Sequence, residues 1–355
     1  MKAKLYINKS NLRYNIEYVK DKTKNKEIIA MIKSNAYGTN SITLAKELIE
    51  LDVKAFGVAT IEEAISLREN NIEGMILVTS VCFDEEIEKA IKNDISLSVS
   101  DIENLIEIND IAAKMNKNCK IHLKLDTGMT RLGFKAEELL KYIDKIVELN
   151  FIDIEGIYTH LSCADSNINY TKLQINIFED TLVNLNNKIK FKYIHVLNSD
   201  GVEYKYDLKF STHVRVGMII YGYTGNTKPI LKLTSYILHI NSVDKDTRVG
   251  YNSTYITKGL EKIAVVKLGY ADGLKRCLSN RGTVKVKGIE CNIVGNICMD
   301  LFMIDVSKVI DVKVKDEVII FDFDDNLKEM SNECSTIPYE IIACLGERIE
   351  RVVVE

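Results

Sequence analysis

The sequence predicts an α/β chain in two parts: an N-terminal (β/α)8 barrel over residues 1–225 and a C-terminal, mostly antiparallel β domain over residues 226–355. Three observations lead there. Between about residues 27 and 222, eight short apolar runs alternate with amphipathic segments, the rhythm of parallel strands and the helices that cover them. After Gly222 the runs turn β-branched and are broken by Gly, Asn and Asp, as in sheets built from hairpins. With 355 residues, 46% of them hydrophobic, the chain can bury two substantial cores.

The barrel strands are expected near 27–33, 55–60, 75–80, 96–100, 120–126, 154–161, 193–199 and 213–220. Segments between them, such as IEEAISLRENN from Ile61 and AEELLKYIDKIVEL from Ala136, place apolar residues three and four apart, as covering helices do. The junction YTGNTKPILK contains Gly225 and Pro229 but is too short for a loose linker. Beyond it, LKLTSYILHI, KIAVVKLGY, GTVKVKG, CNIVG, LFMIDV, VKDEVIIFD and RIERVVVE read as strands.

Charge narrows the partners. A net charge of -4 from 47 basic and 51 acidic side chains gives no cationic field for nucleic acid or an anionic membrane. A small molecule is the expected partner. The start, MKAKLYINKSNLRYNI, alternates polar and apolar residues too soon for a signal-peptide core, and no apolar run approaches bilayer length. A cytoplasmic location follows as the expectation. The eight cysteines show neither CxxC pairing nor zinc-ligand spacing with histidine, so reduced, mostly buried thiols and no metal are expected.

The stretch IIAMIKSNAYGTN, from Ile28 to Asn40, carries the chemistry. An apolar run ends in Lys33 and gives way at once to small and polar residues, which reads as a buried strand delivering a cation to its C-terminal end. A single lysine there commonly snorkels to water. Its alternative use is Schiff-base chemistry with a carbonyl cofactor. Further polar residues fall within or at the ends of successive strands: Lys124 with Asp126, His160, Asn198 with Ser199, and Arg215 with Gly217. That is where β/α barrels build active sites. His122 and His195 lie inside strands and read as core histidines.

The run from Lys33 through Asn35, Ala36, Tyr37 and Gly38 resembles the cofactor-lysine signature of the alanine racemase family, and the likeness extends over nearly the whole chain. It implies pyridoxal 5'-phosphate on Lys33, with Tyr37 reaching the cofactor phosphate. In KLDTGMTRLGF, Lys124 matches a lysine the family commonly carbamylates, and Arg131 matches the arginine that binds the substrate carboxylate. His160 matches a histidine bonded to the arginine facing the pyridine ring, Arg215. Asp165 matches an acidic residue near the substrate entrance. Asn198 and Ser199 come from HVLNSD, Ser199 matching a phosphate contact, and the backbone of Gly217 and Met218 is implied near the phosphate.

In the C-terminal part, Tyr251 of VGYNSTY matches the second catalytic base. Tyr270 of LGYADG matches a tyrosine at the entrance, and Met299 of GNICMD a backbone contact to the substrate carboxylate. The family places these three in the neighbouring subunit's site, which implies a homodimer with shared active sites. Two positions depart from the pattern. Glu347 stands where the family has a tyrosine that contacts the phosphate, and Asn296 where many members have arginine. A carboxylate beside a phosphate is repelled, so Glu347 is expected to pair with Arg348 or Arg351 and turn away.

The function implied is racemisation of a small amino acid, alanine first, by two bases, Lys33 and Tyr251. A pocket altered at Glu347 would suit serine or a basic amino acid such as ornithine, lysine or arginine. A related decarboxylase and a non-catalytic pyridoxal-phosphate-binding protein are the rival readings.

Overall fold

The computed structural model describes residues 2–24, 26–204, 206, 208–324 and 326–355. They form two compact units: Asn15–Ala36 with Ser41–Ile220, and the first residues to Tyr14 with Tyr37–Asn40 and Tyr221–Glu355.

After a first strand, β1 (Lys4–Asn8), the larger unit closes eight parallel strands into a barrel. They are β2 (Glu27–Met31), β3 (Ala55–Val58), β4 (Met75–Val78), β5 (Ser96–Val99), β6 (Cys119–Lys124), β7 (Ile152–Tyr158), β8 (Tyr193–His195) and β9 (His213–Val216). Every residue of β3, β4 and β5 is buried, which is why β3 and β4 read as unbroken apolar runs in the sequence, while β5 alternates Ser96 and Ser98 with Leu97 and Val99. Closure comes from β2 pairing with β9, Ile29 opposite Arg215. The covering helices match the amphipathic segments; Ile61–Glu69, for example, starts in a capping box in which Thr60 and Glu63 satisfy each other's backbone amides.

Side chains two apart on a strand share a face, and in β5–β9 one such set is polar: Ser96 and Ser98, His122 and Lys124, Tyr158, His195, Arg215. Contacts between non-neighbouring strands put this set inside the barrel. Ser98 Oγ meets Tyr158 Oη at 2.6 Å, from β5 to β7, and His122 Nδ1 meets His195 Nε2 at 3.0 Å, from β6 to β8. Gly156 makes room for the latter, since a Cβ there would lie 2.6 Å from His122 Nδ1.

The second unit continues with β10 (Leu231–Val243), β11 (Arg248–Val249), β12 (Tyr255–Ile256), β13 (Glu261–Val266), β14 (Thr283–Val286), β15 (Ile289–Asn292), β16 (Phe302–Asp305), β17 (Glu317–Phe321) and β18 (Glu350–Val354). Its main sheet runs β15-β14-β17-β10-β1-β18, with β13 joining β10 to β16. The ladders are antiparallel except β1 with β18, Lys4 opposite Glu350. By contacts β1 thus belongs to this unit, although the boundary drawn from the sequence groups it with the barrel. The cysteine expectation needs correcting here. Cys277 and Cys334, 57 positions apart, bring their Cα atoms to 5.5 Å and form a disulfide. The pairing is made by the fold and leaves no mark in local spacing.

Candidate active site

At the end of β2, Ile32 N donates to Gly57 O at 2.9 Å, and Lys33 follows at the C-terminal rim of the barrel. The backbone then turns left-handed over four consecutive residues: φ is 53° at Ser34, 51° at Asn35, 53° at Ala36 and 51° at Tyr37. Ala36 N closes the turn on Ile32 O at 2.9 Å. L-residues resist this conformation by roughly 1–2 kcal/mol each, so the turn is held by its surroundings. The Lys33 amine is half-buried, and burial, then the charges of Arg131 and Arg215, hold its pKa below the ordinary lysine value. More of it is neutral, which is what a nucleophile or base requires.

Arg215 is buried and anchored at both ends of its fork. Nη1 donates to His195 Nδ1 at 3.0 Å; Nη2 donates to His160 Nδ1 at 2.6 Å and to Thr159 O at 2.9 Å. A guanidinium only donates, so both imidazoles accept through Nδ1 and carry their proton on Nε2. His195 Nε2 then donates to His122 Nδ1. Burial, followed by Arg215 among the nearby charges, lowers the His160 pKa to about 2 and that of His195 well below normal. These rings are neutral at physiological pH. Tyr158 stacks on His195 with ring centres 4.7 Å apart and takes Arg215 on its face at 5.0 Å.

Lys124 ends β6, its pKa pushed down to about 8 by burial and then by Arg131 and Arg215. The loop that follows folds back on the strand: Phe134 N donates to Lys124 O at 2.9 Å, and Asp126 Oδ1 accepts the amides of Gly128, Met129 and Thr130, each at 3.0 Å. Gly133 sits at φ 123°, where a Cβ would lie 2.7 Å from Asp126 N. The loop presents Arg131 at the surface. After β8, Asn198 Oδ1 caps Gly201 N at 2.9 Å, and Ser199 Oγ accepts from Gly217 N at 3.1 Å and Ile219 N at 3.4 Å. A hydroxyl set among backbone amides, with the Met218 amide between them, is an arrangement that suits a phosphate.

Lys33, Lys124, Arg131, His160, Asn198, Ser199, Arg215, Gly217 and Met218 therefore converge on one end of the barrel. Tyr37, Tyr251, Tyr270, Met299 and Glu347 fall in the other unit. Tyr37 is buried, its ring 5.0 Å from that of Tyr221 and 6.1 Å from that of Tyr339. Tyr251 rides the loop between β11 and β12, 71% exposed, and its carbonyl accepts Asn296 Nδ2 at 2.9 Å. Tyr270 and Met299 are adjoining: Tyr270 N donates to Cys298 O and Ala271 N to Met299 O, both at 3.0 Å. Asp165 is exposed.

The expected Glu347 ion pair is not formed among the described residues. Arg348 instead binds Asp272 and Asp300, each at 2.8 Å. Arg351 feels Glu347 only at a distance and spends its donors on the carbonyls of Gly38, Leu345, Gly346 and Ile349. Glu347 remains exposed, where water screens it at little cost. In the sequence His195 reads as a core residue, which its burial bears out, and Tyr158 carries no local motif; the period-two polar pattern across β5–β9 is the signal that joins both to Arg215.

Comparisons with known proteins identify the family. Models of the alanine racemase N-terminal and C-terminal domains match residues 7–225 and 230–353. The chain belongs to the alanine racemase family. It is 39% identical to the alanine racemase of Fusobacterium nucleatum, over the full length of both. The solved alanine racemase of Clostridium difficile 630 superposes with a TM-score of 0.95 at 35% identity, covering 100% of this chain and 96% of that one. The Bartonella henselae enzyme, described with covalently bound pyridoxal phosphate, gives 0.88 at 27% identity and full coverage of both. The chain is thus an amino-acid racemase by family, built on the family's barrel and sheet domain. Among the described residues no helix is long and apolar enough to cross a membrane.

The rim also fits a phosphorylated aldehyde on its own terms. It offers an amine of depressed pKa after β2, a hydroxyl and amides for a dianion after β8 and β9, and a fixed guanidinium on β9, the strand that pairs with both β2 and β8.

Proposed function

We propose that the chain holds pyridoxal 5'-phosphate covalently at Lys33 and racemises alanine with Lys33 and Tyr251 as the two bases. The observation that carries this reading is the half-buried Lys33 amine, kept below its normal pKa at the rim that also carries Arg215 and Ser199. When bound, the cofactor supplies an electron sink that acidifies the Cα–H of an attached amino acid.

The chain's own residues do the rest. Ser199, Tyr37 and the amides of Gly217 and Met218 hold the phosphate. Arg215, locked by His160 and His195, presents a permanent cation to the pyridine nitrogen and does not surrender a proton to it. That tempers the electron sink and favours return of the proton over side reactions. Arg131 and the Met299 backbone hold the substrate carboxylate, and a carbamylated Lys124 steadies Arg131. Lys33 moves the proton on one side of Cα and Tyr251 on the other; two bases explain inversion.

Tyr251, Tyr270 and Met299, at 71%, 44% and 53% exposure, serve the site of a second copy in a cytoplasmic homodimer. The product suits D-alanine supply for a cell wall. Serine or a basic amino acid is the second reading, favoured only by the exposed Glu347.

The test is conversion of L-alanine, L-serine, L-ornithine, L-lysine and L-arginine to their D-forms by cofactor-saturated protein. Alanine is expected to dominate, Lys33→Ala to abolish turnover, and Tyr251→Phe to suppress both directions while cofactor stays bound. Release of carbon dioxide instead of inversion would replace the racemase with a decarboxylase, and no Lys33-dependent exchange at Cα would leave only a binding protein.

A further inference from the structure

The left-handed turn after Lys33 raises a physical question: what holds four consecutive L-residues in a conformation each resists? Part of the answer is internal. Ala36 N bonds Ile32 O at 2.9 Å, and Asn35 Oδ1 accepts Ser41 N at 2.9 Å. The amides of Ser34 and Asn35 point elsewhere, and one side chain from another element receives both. Glu63 Oε1 lies 2.5 Å from Ser34 N and 3.3 Å from Asn35 N. Its second oxygen, Oε2, accepts Ala59 N at 2.8 Å and Thr60 N at 3.4 Å, at the end of β3.

We propose that Glu63 is a positioning residue for Lys33: one carboxylate clamps the left-handed turn to the end of β3 and so fixes where the lysine amine is delivered. The role deepens, and rests on, the reading of Lys33 as the cofactor lysine and a base. Hydrogen bonds to an ionised acceptor are stronger than those to a neutral one, and the two on Oε1 oppose the strain of the turn. The sequence shows only half of this. Thr60 and Glu63 are spaced as a capping box, a local helix-start device, and the same carboxylate that closes the box reaches 29 residues back along the chain.

Glu63 also acts on Lys33 by charge. Arg131, Arg215 and Lys124 surround the amine with positive charge, and Glu63 is the acidic group opposing them. Replacing it with a neutral residue removes that opposition and lowers the amine's pKa further.

The experiment compares wild type with Glu63→Gln, Glu63→Ala and Thr60→Val. Thr60→Val removes the hydroxyl that accepts Glu63 N at 3.3 Å but keeps the carboxylate, so it reports loss of the helix cap alone. In cofactor-free protein, amide hydrogen exchange at Ser34 and Asn35 and the pH dependence of Lys33 reductive methylation are read residue by residue. In loaded protein, kcat, KM and cofactor affinity are measured, with Lys33→Ala as the control.

Glu63→Gln and Glu63→Ala are expected to speed exchange at both amides, to move the Lys33 methylation profile to lower pH and to reduce kcat by about tenfold or more. Thr60→Val should do none of these while lowering thermal stability. Wild-type exchange and methylation in Glu63→Gln would overturn the proposal, as would equal effects from Thr60→Val. Turnover that survives Lys33→Ala would instead overturn the reading of Lys33, leaving the exchange data to judge the clamp by itself.

Discussion

His195 Nδ1 accepts from Arg215 Nη1 at 3.0 Å while His195 Nε2 meets His122 Nδ1 at 3.0 Å, so one buried imidazole joins the barrel's fixed cation to a second buried ring. The direction of every proton in this chain follows from the guanidinium, which can only donate. Protonating His195 or His160 would set donor against donor.

A pH dependence of stability follows. Burial lowers the pKa of His122 to about 3, of His160 to about 2 and of His213 to about 4, with His195 also well below normal. The unfolded chain takes up these protons as pH falls through about 6.5 and the folded chain does not, so stability is full above that pH and declines as pH falls towards 4. Each ring contributes a slope of roughly 1 kcal/mol per pH unit. Urea unfolding between pH 7 and 4.5 should show the decline, and His122→Gln should make it shallower by about one ring's share. An unchanged slope in that variant would mean His122 titrates normally in the folded protein.

Lys124, with a pKa near 8, has a reactive neutral fraction under mildly alkaline conditions, which is what carbamylation by carbon dioxide requires. Protein equilibrated with 13C-bicarbonate at pH 8.5 should show a carbamate resonance that is lost in Lys124→Ala. The same variant should weaken substrate more than cofactor, raising KM about tenfold through a loosened Arg131. A resonance that persists in Lys124→Ala would assign the carbamate elsewhere.

Arg351 binds four backbone carbonyls, including Gly38 O at 2.7 Å. Arg351→Ala should therefore destabilise the protein by about 3 kcal/mol, whereas Glu347→Ala, which breaks no ion pair, should change stability by less than about 0.5 kcal/mol. Thermal or urea unfolding separates the two. Glu347→Tyr should leave alanine turnover within about fivefold; a large gain for alanine with loss of serine or ornithine would show Glu347 selecting the substrate.

The Cys277–Cys334 bond closes a long loop across 57 positions. Reducing it, or Cys277→Ser with Cys334→Ser, should cost about 4 kcal/mol of stability in the chain-entropy account. Denaturation with and without reductant, with thiol counting by mass, measures this; identical midpoints would show that the bond adds nothing.

The barrel was legible because strands buried on both faces favour apolar residues, so IIAMI, AFGV and MILV announce themselves. Lys33 was legible for the same reason: a charge at the end of such a run stands out. Glu63 was not, because its local pattern already has a sufficient explanation in helix capping. The Cys277–Cys334 contact and the Arg351 bond to Gly38 were hidden for a different reason, since each joins residues far apart in the chain.

Taken alone, the sequence determined the period of each element, the identity of the chemical groups and, through resemblance, the family to which they belong. Only the tertiary structure decided how those groups are held: the neutral tautomers of His160 and His195, the left-handed turn after Lys33, the strand β1 in the second unit's sheet, and the exposure of Glu347. The physical reason is the range of the forces. Periodicity and helix capping act within a few residues and are written in neighbouring letters. Desolvation, fixed charge and hydrogen-bond direction depend on which distant groups the fold brings within about 3 Å of one another.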